Sequence, residues 1–255
     1  MKKTVLYFIF GIALCLSSCN VHEEISFSVD GSVSYKMQYN ISKMMIGETM
    51  NFEASGFPSD TVISLKELGE SGGSKAEYPE QEEDIANIAP LFLTVNSNDE
   101  DIAFSISGNF DDIAAMQQSM KSFTRLSEKE SEKKRATEGE TVDMTQELLH
   151  SAISQEGVIY SFSENSFTRK ASNISSDSDE SSDLDETLSN IIGGNMLSEM
   201  LPLGKYIMKY NFPRKVKSVD NSNAIISEDR KSVVIEYSLS EIMASPQGLD
   251  ISVEF

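Results

Sequence analysis

Residues 25–39, ISFSVDGSVSYKMQY, decide the fold class of this chain. Apolar and polar residues alternate over Ile25–Val29, Asp30-Gly31 follows, and the alternation resumes over Val33–Tyr39. An Asp-Gly pair between two alternating runs is the strongest short-range signal of a β-hairpin. The stretch therefore predicts two antiparallel strands with one face on a core and the other toward solvent.

Further short strands bounded by turn residues are predicted along the rest of the chain. Residues 70–84 are rich in Gly, Glu and Ser and predict a polar loop. Strands joined by hairpins, with two or three helices between them, predict an α+β fold: mainly antiparallel sheet with the helices packed on one face. The predicted strands are 61–65, 91–95, 102–107, 158–162, 167–171, 205–212, 224–227, 232–238 and 249–255; the predicted helices are 111–126, 144–153 and 184–201, with helical turns at 42–47 and 240–244.

Residues 1–18 have the order of a secretory signal. Lys2 and Lys3 precede the apolar run Val5–Leu16, which is too short to span a bilayer core that needs roughly 20 helical residues. Leu16-Ser17-Ser18-Cys19 then resembles the lipobox of bacterial lipoproteins, in which small residues admit the backbone to the signal peptidase. An ordinary signal peptide with an accidental cysteine is the alternative, and Cys15 lies within the apolar run.

The lipobox predicts that Cys19 is the lipidation site, with Leu16, Ser17 and Ser18 as the signal peptidase recognition residues. Two or more acyl chains give stable membrane attachment, whereas one chain does not. We expect residues 19–24 to form a lipidated tether that reaches roughly 20 Å at most. The α+β domain then covers 25–255, and polar linkers near 127–143 and 172–186 would allow two sub-domains.

Composition excludes several classes of function. The formal net charge is −20, and loss of Lys2 and Lys3 with the signal makes it −22, so the surface repels the phosphates of nucleic acids. The mature chain keeps one cysteine, Cys19, and therefore has no internal disulfide. Two histidines, His22 and His150, and no free cysteine argue against a transition-metal site. No nucleotide motif occurs, so we expect no cofactor.

Two motifs look like sites but lack required parts. Gly69-Glu70-Ser71-Gly72-Gly73 fits a nucleophilic serine pattern, yet that chemistry needs a histidine and a strand-to-helix turn. Acids alternate over Asp177–Asp185 as in an EF-hand, but Ser182 replaces the turn glycine and Leu188 the bidentate glutamate. We read the first as a loop and the second as a solvated spacer, with weak divalent-cation association left open. Catalytic residues are not predicted.

Methionines are frequent and fall on predicted helices. They suit either ordinary packing between helices and sheet or an adaptable groove for a lipid or peptide. Ordinary packing is the reading we favour, with the groove kept as the alternative. The six residues concerned are Met44, Met45, Met116, Met120, Met196 and Met200.

Five segments resemble a family of uncharacterised acidic lipoproteins of Gram-negative bacteria. More distantly, the strand followed by Phe212-Pro213-Arg214-Lys215-Val216 is similar to the folded domain of LppM-type lipoproteins. The resemblance implies an envelope lipoprotein with an α+β domain, and it implies no catalytic residue or substrate. The segments are Asp30-Gly31-Ser32-Val33, Ser42-Lys43-Met44-Met45, Asp60-Thr61-Val62-Ile63, 206–215 and 245–255.

The sequence therefore predicts a lipid-anchored envelope protein that is not an enzyme and that binds another envelope component or a hydrophobic ligand. A structural or assembly role is the alternative. A further alternative is a hydrolase of envelope polymers whose catalytic carboxylates are not marked by any sequence motif. Asn20, rather than Asp, follows the cysteine, which by analogy with the lipoprotein sorting rule points to the outer membrane. Glu23-Glu24 would be a weak signal for surface export.

Overall fold

The predicted hairpin is present. A computed structural model describes residues 20–43, 60–71, 79–98, 101–138, 158–171, 204–238, 241 and 249–255. Strand β1 (Asn20–Phe27) pairs antiparallel with β2 (Val33–Ser42). In the turn between them Gly31 has φ of 93°, a left-handed conformation that a side chain would strain. The backbone N–H of Ser32 donates to Asp30 Oδ1 at 3.0 Å.

Strand β1 lies inside an eight-stranded sheet with the order β10-β11-β8-β1-β2-β5-β4-β3. All neighbours in this sheet are antiparallel except β1 and β8, which run parallel with Asn20 beside Lys205. Its other strands are β3 (Thr61–Ser64), β4 (Leu91–Ser97), β5 (Asp101–Phe110), β8 (Lys205–Asn211), β10 (Ala224–Ile226) and β11 (Ser232–Ser238).

A second, four-stranded antiparallel sheet accompanies the large one, with the order β6-β7-β12-β9. Strands β6 and β7 form a tight hairpin, and β12, from the C-terminal residues, pairs with β7. The sequence predicted three of these strands but not that they form a separate sheet, and β9 was not predicted. The strands are β6 (Val158–Phe162), β7 (Ser166–Ala171), β9 (Ser218–Val219) and β12 (Ile251–Glu254).

Three helices are described: α1 (Leu65–Ser71), α2 (Pro79–Asn87) and α3 (Ile113–Glu138). The predicted loop at 70–84 is therefore wrong where α2 forms, because proline at the first helical position has a backbone suited to start a helix. Helix α3 is capped by Asp112, whose Oδ1 accepts from Ala115 N at 2.7 Å, and it continues through much of the polar stretch after residue 126.

Several polar contacts join helices α2 and α3. The guanidinium of Arg125 forms a bidentate pair with the buried carboxylate of Asp84. Ser119 Oγ donates to the carbonyl of Asn87 at 2.6 Å, and Asn87 Nδ2 donates to Ser122 Oγ at 3.1 Å. Helix α3 also contacts β5 and β6, so it touches both sheets.

Both sheets contribute to one cluster of buried apolar side chains. Phe27 on β1 stacks on Phe162 of the small sheet with ring centres 4.1 Å apart, and Phe167 lies 4.9 Å from Tyr210 of the large sheet. The α+β class is therefore confirmed, with the core between the two sheets and beneath α3. Within the part of the chain that the structure describes, no helix has the length and apolarity to cross a membrane.

Several predictions lie outside the described residues. These are the signal segment and Cys19, the turn after residue 43, the helices at 144–153 and 184–201, the polar stretch at 172–186, and most of the turn at 240–244.

Candidate functional site

Strand β1 begins earlier than the sequence predicted. It was expected to start near Glu24 or Ile25, after a tether, but Asn20 is already paired with Asn40 of β2 and Lys205 of β8. Assigning residues 20–24 to a tether is therefore wrong. The physical reason is that Val21 and Glu23 lie in phase with Ile25 and face the core. Leu16, Ser17, Ser18 and Cys19 lie outside the described residues, directly before this strand.

Glu23 is a fully buried carboxylate, with none of its surface exposed. Three tyrosine hydroxyls donate to it. Tyr160 and Tyr210 donate to Oε1 at 3.0 and 2.8 Å, and Tyr206 donates to Oε2 at 2.6 Å. Tyr160 comes from β6 of the small sheet, and the other two tyrosines come from β8, the neighbour of β1 in the large sheet. The carboxylate therefore links β1 to β8 and to the small sheet.

Arg169 of β7 completes this cluster. Its Nε lies 3.7 Å from Glu23 Oε2, and its Nη1 donates to the carbonyl of Leu249 at 3.0 Å. The guanidinium carbon lies 5.9 Å from the centre of the Tyr160 ring, within the range of a cation–π contact. We call Glu23, Arg169, Tyr160, Tyr206 and Tyr210 the Glu23 cluster.

Burial and the charge of Glu23 keep the tyrosines of the Glu23 cluster in the protonated form that donates hydrogen bonds. Burial, and next the nearby Glu23 charge, raise the pKa values of Tyr160, Tyr206 and Tyr210 well above their usual value, so the hydroxyls stay protonated and donate. Burial alone would lower the pKa of Arg169, but the Glu23 charge outweighs it and raises that pKa. The cluster is therefore a buried ion pair supported by neutral donors.

This cluster is shut off from solvent, since Glu23 is 0% and Arg169 2% exposed. A carboxylate so enclosed cannot meet a substrate while the sheets stay packed. The arrangement holds β1 of the large sheet against β6 and β7 of the small sheet. The sequence contained one indication that Glu23 is buried. Glu23 lies two residues before Ile25 and four before Phe27, so if the strand extends back to it, its side chain lies on the same face as theirs and points to the core.

The opposite face of β1 carries exposed or half-buried polar side chains. Glu24 accepts from Lys209 Nζ at 2.9 Å and from Asn211 Nδ2 at 2.8 Å. Burial acts to raise the pKa of Glu24, but these hydrogen bonds lower it below its usual value. Burial, and next the charge of Lys36, lower the pKa of His22, so this imidazole is more readily neutral. The doublet Glu23-Glu24 is thus divided between the core and the surface.

The other residues singled out from the sequence do not join this cluster. Ser71 is the last residue of α1 and follows no strand directly. Met116 and Met120 are buried core residues of α3, which agrees with ordinary packing. The other four methionines predicted to lie on helices, and the acidic run at 177–185, lie outside the described residues. Within the described ranges, no three His, Cys, Asp or Glu side chains come together as a metal site.

No protein-family model and no curated protein matches this chain. Among solved structures it is similar to the NMR structure of the folded domain of LppM from Mycobacterium tuberculosis, with 10% sequence identity and a TM-score of 0.40. The similarity covers 92% of this chain and 88% of that one.

Proposed function

We propose that this protein is a lipoprotein of the cell envelope, anchored through lipid on Cys19, whose domain is a non-enzymatic binding module. The lipobox Leu16-Ser17-Ser18-Cys19 supports the anchor. The observation that carries the proposal is that β1 starts at Asn20, the residue after the predicted lipid attachment. Consecutive Cα atoms are about 3.8 Å apart, so the lipid would join almost directly to the centre of the sheet.

This geometry would hold the domain against the bilayer surface. With β1 directed away from the membrane, the end of the large sheet that carries Asn20, Ser42 and Lys205 would be nearest to the headgroups. The hairpin turn at Asp30-Gly31 would be farthest. A binding partner that is itself at the membrane surface suits this arrangement. The Glu23 carboxylate is fully enclosed, so it would not serve as the accessible acid of a hydrolase.

Lipidation is tested by metabolic labelling with a radioactive fatty acid. In the first step the Cys19 sulfur forms a C–S bond to the glycerol of a phospholipid, and the C–O bond to the phosphate breaks, with the thiol proton passing to the released phosphate. Cys19→Ala should abolish the label, whereas Cys15→Ala is the matched control and should keep it. Label retained in the Cys19→Ala protein would contradict the anchor.

The outer-membrane location is tested by membrane fractionation. We expect the wild-type protein with outer-membrane markers and Asn20→Asp shifted toward the inner membrane, since Asp at this position retains lipoproteins that follow the sorting rule. Asn40→Asp makes the same chemical change on the residue paired with Asn20 in β2 and is the matched control. A wild-type protein found with inner-membrane markers would contradict this location.

The binding role is tested by purifying the lipidated protein and identifying what remains bound. Mass spectrometry of the extract should find one lipid class or one envelope component at near-stoichiometric amount. Hydrolysis of purified envelope polymers by the protein would contradict a purely binding role.

A further inference from the structure

From the position of β1 we infer an order of events: processing of the precursor at Cys19 must be complete before β1 enters the sheet. This inference rests on the proposed lipidation of Cys19. It adds that a precursor that has already folded resists the processing enzymes.

The first residues of β1 have no free backbone edge. Asn20 pairs with Asn40 on one side and Lys205 on the other, and Val21 pairs with Tyr39 and Tyr206. Neighbouring strands lie about 4.7–4.9 Å away on each side. An enzyme that must bind the chain after Ser18–Cys19 would therefore meet β2 and β8 within one residue of the scissile bond.

Proteins that bind an extended peptide commonly do so by pairing with its backbone, as an added strand. In folded β1 those N–H and C=O groups are already paired with β2 and β8. The side chains are also engaged, because Val21 is 7% exposed and Glu23 is held by the Glu23 cluster. Entry into an enzyme groove would require β1 to leave the middle of an eight-stranded sheet.

The chemistry at the site explains the order. Hydrolysis of the Ser18–Cys19 peptide bond consumes one water, breaks the C–N bond, and leaves a carboxylate on Ser18 and an ammonium group on Cys19. The water and the enzyme must both reach a bond that lies one residue before Asn20, which is paired on both sides in the sheet.

The experiment compares folded and unfolded precursors as substrates. The full chain with its leader is added to detergent-solubilised bacterial membranes that contain the processing enzymes and phosphatidylglycerol, either folded or freshly diluted from urea. Conversion to the mature form is followed by gel mobility. We expect the folded precursor to be converted at least tenfold more slowly than the unfolded one.

A spacer variant and a lipidation control complete the test. With eight Gly and Ser residues inserted between Cys19 and Asn20, folded and unfolded precursors should be converted at similar rates. Equal rates for the folded and unfolded wild-type precursor would overturn the inferred order, and so would a folded spacer variant that stays slow. Unfolded wild-type precursor that is never converted, or unfolded Cys19→Ala that is converted normally, would instead contradict the proposed lipidation.

Discussion

Glu23 and Glu24 are adjacent in β1, but their carboxylates have opposite environments. Glu23 is enclosed by three tyrosines and Arg169, whereas Glu24 pairs with Lys209 at the surface. Removing one partner of a buried ion pair leaves an uncompensated charge in the core, but an exposed pair contributes little. The two residues therefore offer a matched comparison.

We expect Glu23→Ala to lower the free energy of unfolding by about 3–5 kcal/mol. Glu24→Ala should change it by about 1 kcal/mol or less. Urea unfolding of the purified proteins, followed by far-UV circular dichroism, measures both. Equal effects of the two substitutions would contradict the structural role given to the Glu23 cluster.

Asp84 is a second residue with a testable charge effect. Burial acts to raise its pKa, but the hydrogen bonds from Arg125 and Ser122 lower it below its usual value of 3.8. The resulting stabilisation is fully present above about pH 4, where Asp84 is ionised in both the folded and the unfolded state. As the pH falls, the unfolded state binds a proton first, so the stabilisation decreases and is lost once the pH has fallen through the lowered pKa of the folded state.

The substitution Asp84→Asn tests this pH dependence. At neutral pH it should lower the free energy of unfolding by about 1 kcal/mol, and the difference from the wild-type protein should shrink as the pH falls below 4. Unfolding curves measured at several pH values check this. Glu82→Gln, at an exposed position of the same helix, is the control and should show no such trend.

Individual elements differ in how much of them the sequence could predict. The β1–β2 hairpin was predictable because its signal, alternation around Asp30-Gly31, is local. The parallel pairing of β1 with β8 was not, since it joins residues about 185 positions apart and leaves no local pattern. The Glu23 cluster depends on the same distant pairing, so the sequence offered only the parity of Glu23. Helix α2 was missed because four of its nine residues are acidic and Ile85 is its one large apolar residue, so it shows no apolar periodicity.

Strand β6 is an edge strand, and one side chain pairs with the outer backbone groups of Tyr160 at its centre. Gln117 of α3 donates through Nε2 to the carbonyl of Tyr160 at 3.0 Å, and its Oε1 accepts from the Tyr160 N–H at 3.0 Å. The amide thus occupies the place of a neighbouring strand. Uncovered edges promote pairing between molecules, so this contact protects the small sheet.

We expect Gln117→Leu to lower the free energy of unfolding by about 1–2 kcal/mol and to increase self-association. Gln118→Leu, at an exposed position of the same helix, is the matched control. Light scattering measures association and urea unfolding measures stability. If Gln118→Leu associates as strongly as Gln117→Leu, exposed apolar surface rather than the freed edge is responsible.

At the scale of the whole molecule, the direction of β1 predicts how the domain stands on the membrane. Val62 lies level with His22 through the pairings across the sheet, near the Asn20 end, whereas Val29 lies beyond the other end of β1. Both side chains are exposed, at 66% and 92%. At about 3.3 Å per residue the two positions differ in height by roughly 20 Å.

This orientation can be measured with single cysteines, since Cys15 leaves with the predicted signal and Cys19 would be lipidated. A fluorophore on Val62→Cys should be quenched strongly by spin-labelled headgroups in phosphatidylcholine vesicles, and one on Val29→Cys weakly. Equal quenching at both positions would contradict the upright orientation.

The central position of β1 also determines how the domain responds to mechanical load. A pull on the Asn20 end acts along the strand, and β2 and β8 hold that strand from both sides over its whole length. Force in that direction shears all the inter-strand hydrogen bonds together, whereas a strand at the edge of a sheet can be peeled away one bond at a time. An anchor at this point would therefore keep the domain folded when a bound partner pulls it away from the membrane.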